Sequence, residues 1–146
     1  MRVYLVRHAE AEQGSPDELR PLTPQGRVAA LSLAEKLSTH HLKIKNIYHS
    51  KLVRAAQTAT IFADTLDIKN ISASSGLSPN DNPSEWCKKI EALDEDIMLV
   101  GHMPFMSLLV ENLSCHEDTV IFSSPQMACL EKKEPGIWRV LWKEGA

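Results

Sequence analysis

The chain has no excess of positive charge. Its 146 residues include 16 Lys and Arg against 19 Asp and Glu, which gives a formal net charge of -3. Proteins that bind nucleic acid or acidic membrane surfaces use clustered basic side chains to neutralise many phosphates at once. The composition therefore predicts no nucleic-acid partner, and any phosphate recognition must depend on a few local groups.

Cysteine is scarce, and long apolar runs are absent. Cys87, Cys115 and Cys129 are odd in number and widely spaced, which fits neither a disulfide framework nor a Cys-X-X-Cys metal site. No apolar stretch approaches the length of a membrane-spanning helix, and Arg7 interrupts the apolar start of the chain after a few residues. We expect reduced thiols, no membrane segment and a location in the cytoplasm.

What remains is the composition of an ordinary globular protein, with 43% hydrophobic and 24% charged residues. A chain of this length buries roughly two-thirds of its unfolded surface, enough for a proper core. We therefore expect a single domain over residues 1–146. No heptad pattern or long apolar patch demands a second copy, so a monomer is the default expectation.

Strand-like and helix-like segments alternate along most of the chain. Short apolar strands are predicted at 3–6, 46–49, 71–73 and 97–100, and helices at 24–37, 52–66, 84–93 and 104–113. Thr23 and Ser84 are predicted helix caps. Three further strands are predicted near 119–122, 128–131 and 137–142, with Lys132 and Lys133 in a turn. This order predicts an α/β fold, a three-layer α/β/α sandwich whose mostly parallel central sheet has antiparallel edge strands.

Cationic and polar residues follow three of the predicted strands directly. In open α/β sheets, ligands bind beyond the carboxyl ends of the strands, so these residues are expected to meet at one rim. Two arginines and two histidines without a carboxylate cluster form an anion pocket, for which phosphate is the natural ligand. We expect no metal and no other cofactor. The residues at the rim are Arg7, His8, Ser50, Arg54, Gly101 and His102.

Within that pocket His8 is a candidate nucleophile. A neutral imidazole attacks phosphorus competently, and its ordinary pKa of about 6.5 leaves it mostly deprotonated at neutral pH. Neighbouring arginines neutralise the phosphoryl oxygens in the transition state and disfavour protonation of the ring.

Four stretches in a fixed order resemble the histidine phosphatase superfamily, also called phosphoglycerate-mutase-like. They are Arg7-His8 after the first strand, Leu-Thr-Pro-Gln-Gly at 22–26, Ser-Lys-Leu-Val-Arg-Ala-Ala-Gln-Thr at 50–58 and Val-Gly-His-Met-Pro at 100–104. The resemblance implies a phosphoglycerate-mutase-like fold in which His8 is transiently phosphorylated while Arg7, Arg54 and His102 bind the phosphoryl group. The short chain, Ala9 and the Arg-Pro-Leu-Thr at 20–23 are most similar to small bacterial phosphohistidine phosphatases of the SixA type.

A proton donor for the leaving group is missing from its usual place. Larger superfamily members have Glu or Asp after the third strand, where this chain has Pro79, with Asp81 and Glu85 nearby. General acid catalysis contributes roughly 10²- to 10⁴-fold, but the imidazole of phosphohistidine can be protonated by water and leaves readily. We therefore predict a protein phosphohistidine phosphatase, whose partner is a phosphorylated protein such as a histidine-phosphotransfer domain, as the resemblance suggests.

Two alternatives stay open on the sequence alone. One is a small-molecule phosphomonoesterase in which Asp81 or Glu85 supplies the proton. The other is a module that binds phosphohistidine without catalysis. Arg20 is a candidate contact for acidic groups on the substrate, although a surface arginine at a helix entry is the simpler interpretation, and His49 is assigned a structural role.

Overall fold

The computed structural model describes residues 1–146 and is built around one six-stranded sheet. The strands are β1 (Arg2–Arg7), β2 (Asn46–His49), β3 (Asn70–Ala73), β4 (Ile97–Gly101), β5 (Gln126–Glu134) and β6 (Ile137–Gly145). Their order across the sheet is β3-β2-β4-β1-β5-β6, with parallel pairing from β3 to β1 and antiparallel pairing from β1 through β6. The predicted α/β fold with antiparallel strands at one edge is confirmed.

Four helices cover the two faces of the sheet. They are α1 (Pro24–Ser38), α2 (Val53–Leu66), α3 (Ser84–Ala92) and α4 (Phe105–Leu113). Along β1, Tyr4 and Val6 pack in one buried cluster with α1 and α2, whereas Val3 and Leu5 pack in a second with α3 and α4. This alternation explains why the central strands are apolar on both faces. No helix is both long enough and apolar enough to cross a bilayer.

The start of α1 is joined to the loop that follows β1. Thr23 caps the helix as predicted, since its hydroxyl oxygen accepts the Gly26 N–H at 2.8 Å and Pro24 occupies the first turn. The Thr23 N–H donates to the Glu10 carbonyl oxygen at 3.0 Å. The loop that begins at Ala9 is therefore fixed at both of its ends.

The strand predicted at 119–122 is wrong. Val120 and Phe122 are buried, which gives the apolar alternation of a strand. However, β5 already occupies the position beside β1, so this segment has no strand partner. Its carbonyl groups bond to side chains instead: Val120 accepts from Ser107 and Phe122 accepts from Arg7. The segment is a loop whose two buried side chains belong to the same apolar cluster as α4.

Two smaller predictions are also wrong. Lys132 and Lys133 lie within β5, and the turn comes later, at Gly136, whose φ of 79° favours glycine. Ser84 is the first residue of α3 rather than its cap; its N–H donates to the side-chain oxygen of Asn82 at 2.9 Å. In both cases the predicted type of feature, a turn or a helix start, is present but lies one or a few residues away from the predicted position.

We predict that Gly26→Ala destabilises the protein, although alanine favours a helix over glycine by about 1 kcal/mol. A Cβ atom at Gly26 would lie 2.2 Å from the Glu10 carbonyl oxygen, so the first turn of α1 would have to move. Overpacking of this kind costs about 1–3 kcal/mol. Urea unfolding measures the change, with Gly145→Ala as the control because a Cβ there meets no atom within 4 Å. A free energy of unfolding at or above wild type would contradict this close packing.

Candidate active site

A pocket of about 430 Å³ lies beyond the carboxyl ends of β1 and β4. The structure brings Arg7, His8, Arg54 and His102 to it together with Arg20, whereas Ser50 and Gly101, also predicted at the rim, do not line it. It contains three arginines, two histidines and one carboxylate. The lining residues are Arg7, His8, Glu10, Ala11, Arg20, Arg54, Pro79, His102, Met103 and Ser124.

His8 presents one nitrogen with a free lone pair. It follows the last residue of β1, and its backbone N–H donates to the Gly101 carbonyl oxygen at 3.0 Å. Its Nδ1 lies 2.6 Å from the Ala9 carbonyl oxygen, which can only accept, so the proton of the neutral ring belongs on Nδ1. Burial, followed by repulsion from Arg54 and Arg7, lowers the pKa of His8 to about 4. At neutral pH the ring is therefore uncharged, and Nε2 is available as a nucleophile.

Arg7 is held from one end of its guanidinium group. Its Nη1 donates to the Phe122 carbonyl oxygen at 2.8 Å, and its Nε is buried without a partner in the protein. Burial lowers the pKa of this guanidinium group below its ordinary value. The backbone of the loop after α4 thus orients the cation and leaves its Nε–H for another acceptor.

Arg54 is held in the same way by the loop after β1. Asp17 lies in a short 3₁₀ turn, Asp17–Leu19, and accepts from Arg54 twice, through its carbonyl oxygen at 3.0 Å and its carboxylate at 3.3 Å. The second carboxylate oxygen of Asp17 accepts from Arg20 Nε at 2.9 Å. Only Nε of Arg54 is buried without a partner. Asp17 therefore fixes one phosphate-binding candidate and links it to Arg20.

His102 lies beside His8 at the end of β4, with the two ring centroids 4.9 Å apart. Its Nε2 is 2.5 Å from the Ser50 hydroxyl oxygen, and its Nδ1 is buried without a partner. Burial and the neighbouring His8 lower the pKa of His102 to about 3. This ring is also uncharged at neutral pH.

Three nitrogen atoms in these side chains share one property. Arg7 Nε, Arg54 Nε and His102 Nδ1 are the buried side-chain nitrogen or oxygen atoms that have no hydrogen-bond partner in the protein. Leaving a buried donor unpaired costs about 1–3 kcal/mol, so native proteins rarely keep several without a reason. All three belong to residues that line the same pocket. The two guanidinium Nε–H groups can only donate, so an anionic ligand with several acceptor oxygens, such as a phosphoryl group, suits this pocket.

The carboxylates considered from the sequence lie outside the pocket. Asp81 accepts the Ser78 N–H at 2.9 Å, and Glu85 forms an ion pair with Lys89 at 3.2 Å. Pro79 lines the pocket wall instead. His49, which was assigned a structural role, contacts the Ser50 carbonyl oxygen through Nδ1 at 2.7 Å.

Two residues that line the pocket, Glu10 and Ser124, were not predicted from the sequence. Glu10 lines the pocket and its carboxylate accepts from the Thr23 hydroxyl at 2.8 Å. Ser124 also lines it, and its hydroxyl donates to the His8 carbonyl oxygen. The position of Glu10, two residues after His8, was the one available signal. Ser124 lies far along the chain in a stretch without a motif, so nothing marked it.

The family model that matches this chain is the histidine phosphatase superfamily (branch 1), over residues 3–78. The chain belongs to this superfamily. The matched segment includes Arg7, His8 and Arg54, and His102 lies beyond it. The resemblance noted from the sequence is thereby confirmed.

Individual relatives agree with membership of the superfamily. The chain is 24% identical to the phosphohistidine phosphatase SixA of Escherichia coli K12, over 98% of this chain and 92% of that protein. It is 32% identical to an uncharacterized protein of Picosynechococcus, over 71% of this chain and 67% of the relative. A solved structure of the protein histidine phosphatase SixA complexed with tungstate superposes with a TM-score of 0.94 at 24% identity, covering 99% of this chain and 97% of that one. The fold of the superfamily therefore extends over the whole chain.

We predict that the His8 ring stays neutral when the pH is lowered from about 8 to about 5, whereas histidine in a short peptide titrates near pH 6.5. Burial beside two arginines disfavours the charged ring, so protonation is displaced to about pH 4. A ¹⁵N NMR titration of the imidazole nitrogens measures this, with His8→Ala to assign the signals. Loss of the Nε2 lone pair near pH 6.5 would contradict the described environment.

We also predict that Arg54→Lys weakens binding of inorganic phosphate at least about tenfold. Lysine keeps the charge but carries all its N–H groups on one nitrogen, whereas Arg54 bonds to Asp17 through two nitrogens and has its third, Nε, left over. Isothermal titration calorimetry measures the affinity. Arg27→Lys is the matched control, since Arg27 is exposed on α1 and does not line the pocket. Equal affinities for wild type and Arg54→Lys would show that the paired geometry of Arg54 is unimportant.

Proposed function

We propose that this protein is a protein phosphohistidine phosphatase that works through a phosphorylated His8. The observation that carries the proposal is that three side chains lining the pocket with His8 each keep a buried nitrogen without a partner in the protein, namely Arg7 Nε, Arg54 Nε and His102 Nδ1. A phosphoryl group has the oxygens to accept from all three and the phosphorus atom for His8 to attack. Similarity to SixA supports the proposal, because that protein is a phosphohistidine phosphatase and its structure holds tungstate, an oxyanion like phosphate.

In the first step Nε2 of His8 attacks phosphorus, and the bond from phosphorus to the substrate imidazole breaks. The leaving imidazole takes a proton from water. Arg7 and Arg54 donate to the phosphoryl oxygens through their Nε–H groups and neutralise the charge that spreads over them. His102 contributes a third donor. The positive charge of the pocket comes from arginines, so the proposed reaction needs no metal.

In the second step a water molecule attacks the phosphorus of phosphorylated His8. The P–N bond breaks, inorganic phosphate is released, and the electron pair returns to Nε2. The hydrogen bond from Nδ1 to the Ala9 carbonyl keeps the ring in the same orientation in both steps. The neutral ring is then ready for the next turnover.

The carboxylates near the pocket support phosphohistidine over a phosphate ester. An alkoxide leaving group needs a proton donor, but Asp81 and Glu85, the carboxylates nearest the usual position, bond to other groups outside the pocket. The one carboxylate in the lining, Glu10, accepts a hydrogen bond from the Thr23 hydroxyl. The pocket has Pro79 at that wall. Imidazole is a much better leaving group than an alkoxide, so the reaction proposed here needs no such residue.

The surroundings of the pocket support a protein substrate. Leu19 and Ile121 lie on the two loops that supply Asp17 and the Phe122 carbonyl, and they are 60% and 80% exposed. Apolar side chains beside a polar pocket suit contact with another protein surface. Arg20 lines the pocket, and its Nη2 has no partner in the protein, so we assign this side chain to acidic groups of the substrate. A histidine-phosphotransfer domain is a partner of this kind.

The test compares wild type and His8→Ala on a phosphorylated histidine-phosphotransfer protein. We expect wild type to release phosphate and His8→Ala to be slower by at least about 10³-fold, because the nucleophile is lost. ³²P label should appear on wild-type chain after quenching without acid, which preserves phosphohistidine. Equal release by both proteins would refute the proposal, and binding without label would indicate a non-catalytic module.

Asp81→Asn and Glu85→Gln separate the proposed reaction from ester hydrolysis. We expect both variants to hydrolyse phosphohistidine within about twofold of wild type, because neither carboxylate lines the pocket. A loss of about 10²-fold or more on a phosphate ester, with appreciable wild-type turnover of that ester, would favour a small-molecule phosphomonoesterase.

A further inference from the structure

Ser50 is a fully buried polar residue that binds one of the site histidines. It follows β2, and its N–H donates to the Val100 carbonyl oxygen of β4 at 3.1 Å. Its hydroxyl oxygen lies 2.5 Å from Nε2 of His102 and accepts the Leu52 N–H at 3.3 Å. Backbone bonds on both sides therefore fix the hydroxyl against the ring of His102.

The direction of the Ser50–His102 hydrogen bond follows from a count of donors and acceptors. A hydroxyl has one proton to donate and can accept from other groups. If His102 donated from Nε2, the Ser50 hydroxyl would accept twice, and its own buried proton would have no acceptor in the protein. If Ser50 donates to Nε2 instead, every buried group of this contact is paired.

The direction of this hydrogen bond also fixes the state of the other nitrogen of His102. When Ser50 donates to Nε2, the proton of the neutral ring belongs on Nδ1, which is buried and has no partner in the protein. Nδ1 then is a donor, like the unpaired Nε–H groups of Arg7 and Arg54.

We propose that Ser50 is a positioning residue that selects the Nδ1–H tautomer of His102 and so makes this ring a hydrogen-bond donor to the phosphoryl group. The nature of the ligand rests on the proposed function, whereas the tautomer does not. His102 then binds as a neutral donor, in keeping with the burial that lowers its pKa to about 3. It does not serve as a general base, because its only basic nitrogen is occupied by Ser50.

The test measures the ¹⁵N signals of the His102 ring and the affinity for tungstate in the same samples. In wild type we expect a protonated Nδ1 and an unprotonated Nε2. Ser50→Ala should move protonation toward Nε2 and weaken tungstate binding about tenfold, since one oriented donor is lost. Ser50→Cys keeps a similar volume with a weaker donor, so both measurements should fall between those of wild type and Ser50→Ala.

Ser114→Ala is the matched control, because Ser114 is also fully buried with a bonded hydroxyl and does not line the pocket. We expect it to leave the tautomer and the tungstate affinity unchanged, whatever it does to stability. A His102 ring that is protonated at Nε2 in the wild-type protein would overturn the proposal. So would a Ser50→Ala variant whose His102 tautomer and tungstate affinity equal those of wild type. Should Ser50→Ala not fold, the wild-type spectrum and Ser50→Cys still decide. A protein without phosphatase activity would refute the proposed function and leave the wild-type spectrum as the test of the tautomer.

Discussion

Buried N–H donors that lack an acceptor in the protein are the constraint on which the site depends. A guanidinium group loses hydration on burial, and the loss must be offset by acceptors. Arg7 and Arg54 obtain them at their terminal nitrogens, from the Phe122 carbonyl and from Asp17, while their Nε–H groups stay unpaired. The protein thus holds each cation by one side and reserves the other side for a ligand.

Sheet topology brings the two site histidines together from distant parts of the chain. β1 and β4 are neighbours in the centre of the sheet, and Arg7 is in register with Gly101. His8 directly follows β1 and His102 directly follows β4, so this register places the two histidines side by side. A slip of one residue in this register would point one ring to the opposite side of the sheet. The apolar side chains that fill both faces of β1 and β4 hold the register in place.

The sequence predicted those parts of the site that depend on strand ends, and missed those that depend on loops. His8, Arg54 and His102 follow recognisable strands, so one rule on ligand binding in α/β sheets locates them together. Asp17 lies in a polar loop, where an aspartate is ordinary, and only the folded loop shows that it bonds to Arg54. The Phe122 carbonyl has no signature at all, because every residue has one. The apolar alternation around it even predicted a strand at 119–122, since burial against α4 produces the same pattern as burial in a sheet.

The bond between Arg7 and the Phe122 carbonyl oxygen does not depend on the side chain at position 122. A backbone oxygen is retained through almost any substitution, so the loop around Phe122 can change its exposed side chains without losing the bond to Arg7. The side chain of Ile121, the neighbouring residue, is largely exposed and takes no part in that bond. Substitutions on the exposed face of this loop can therefore change the surface offered to other molecules without removing the carbonyl group that orients Arg7.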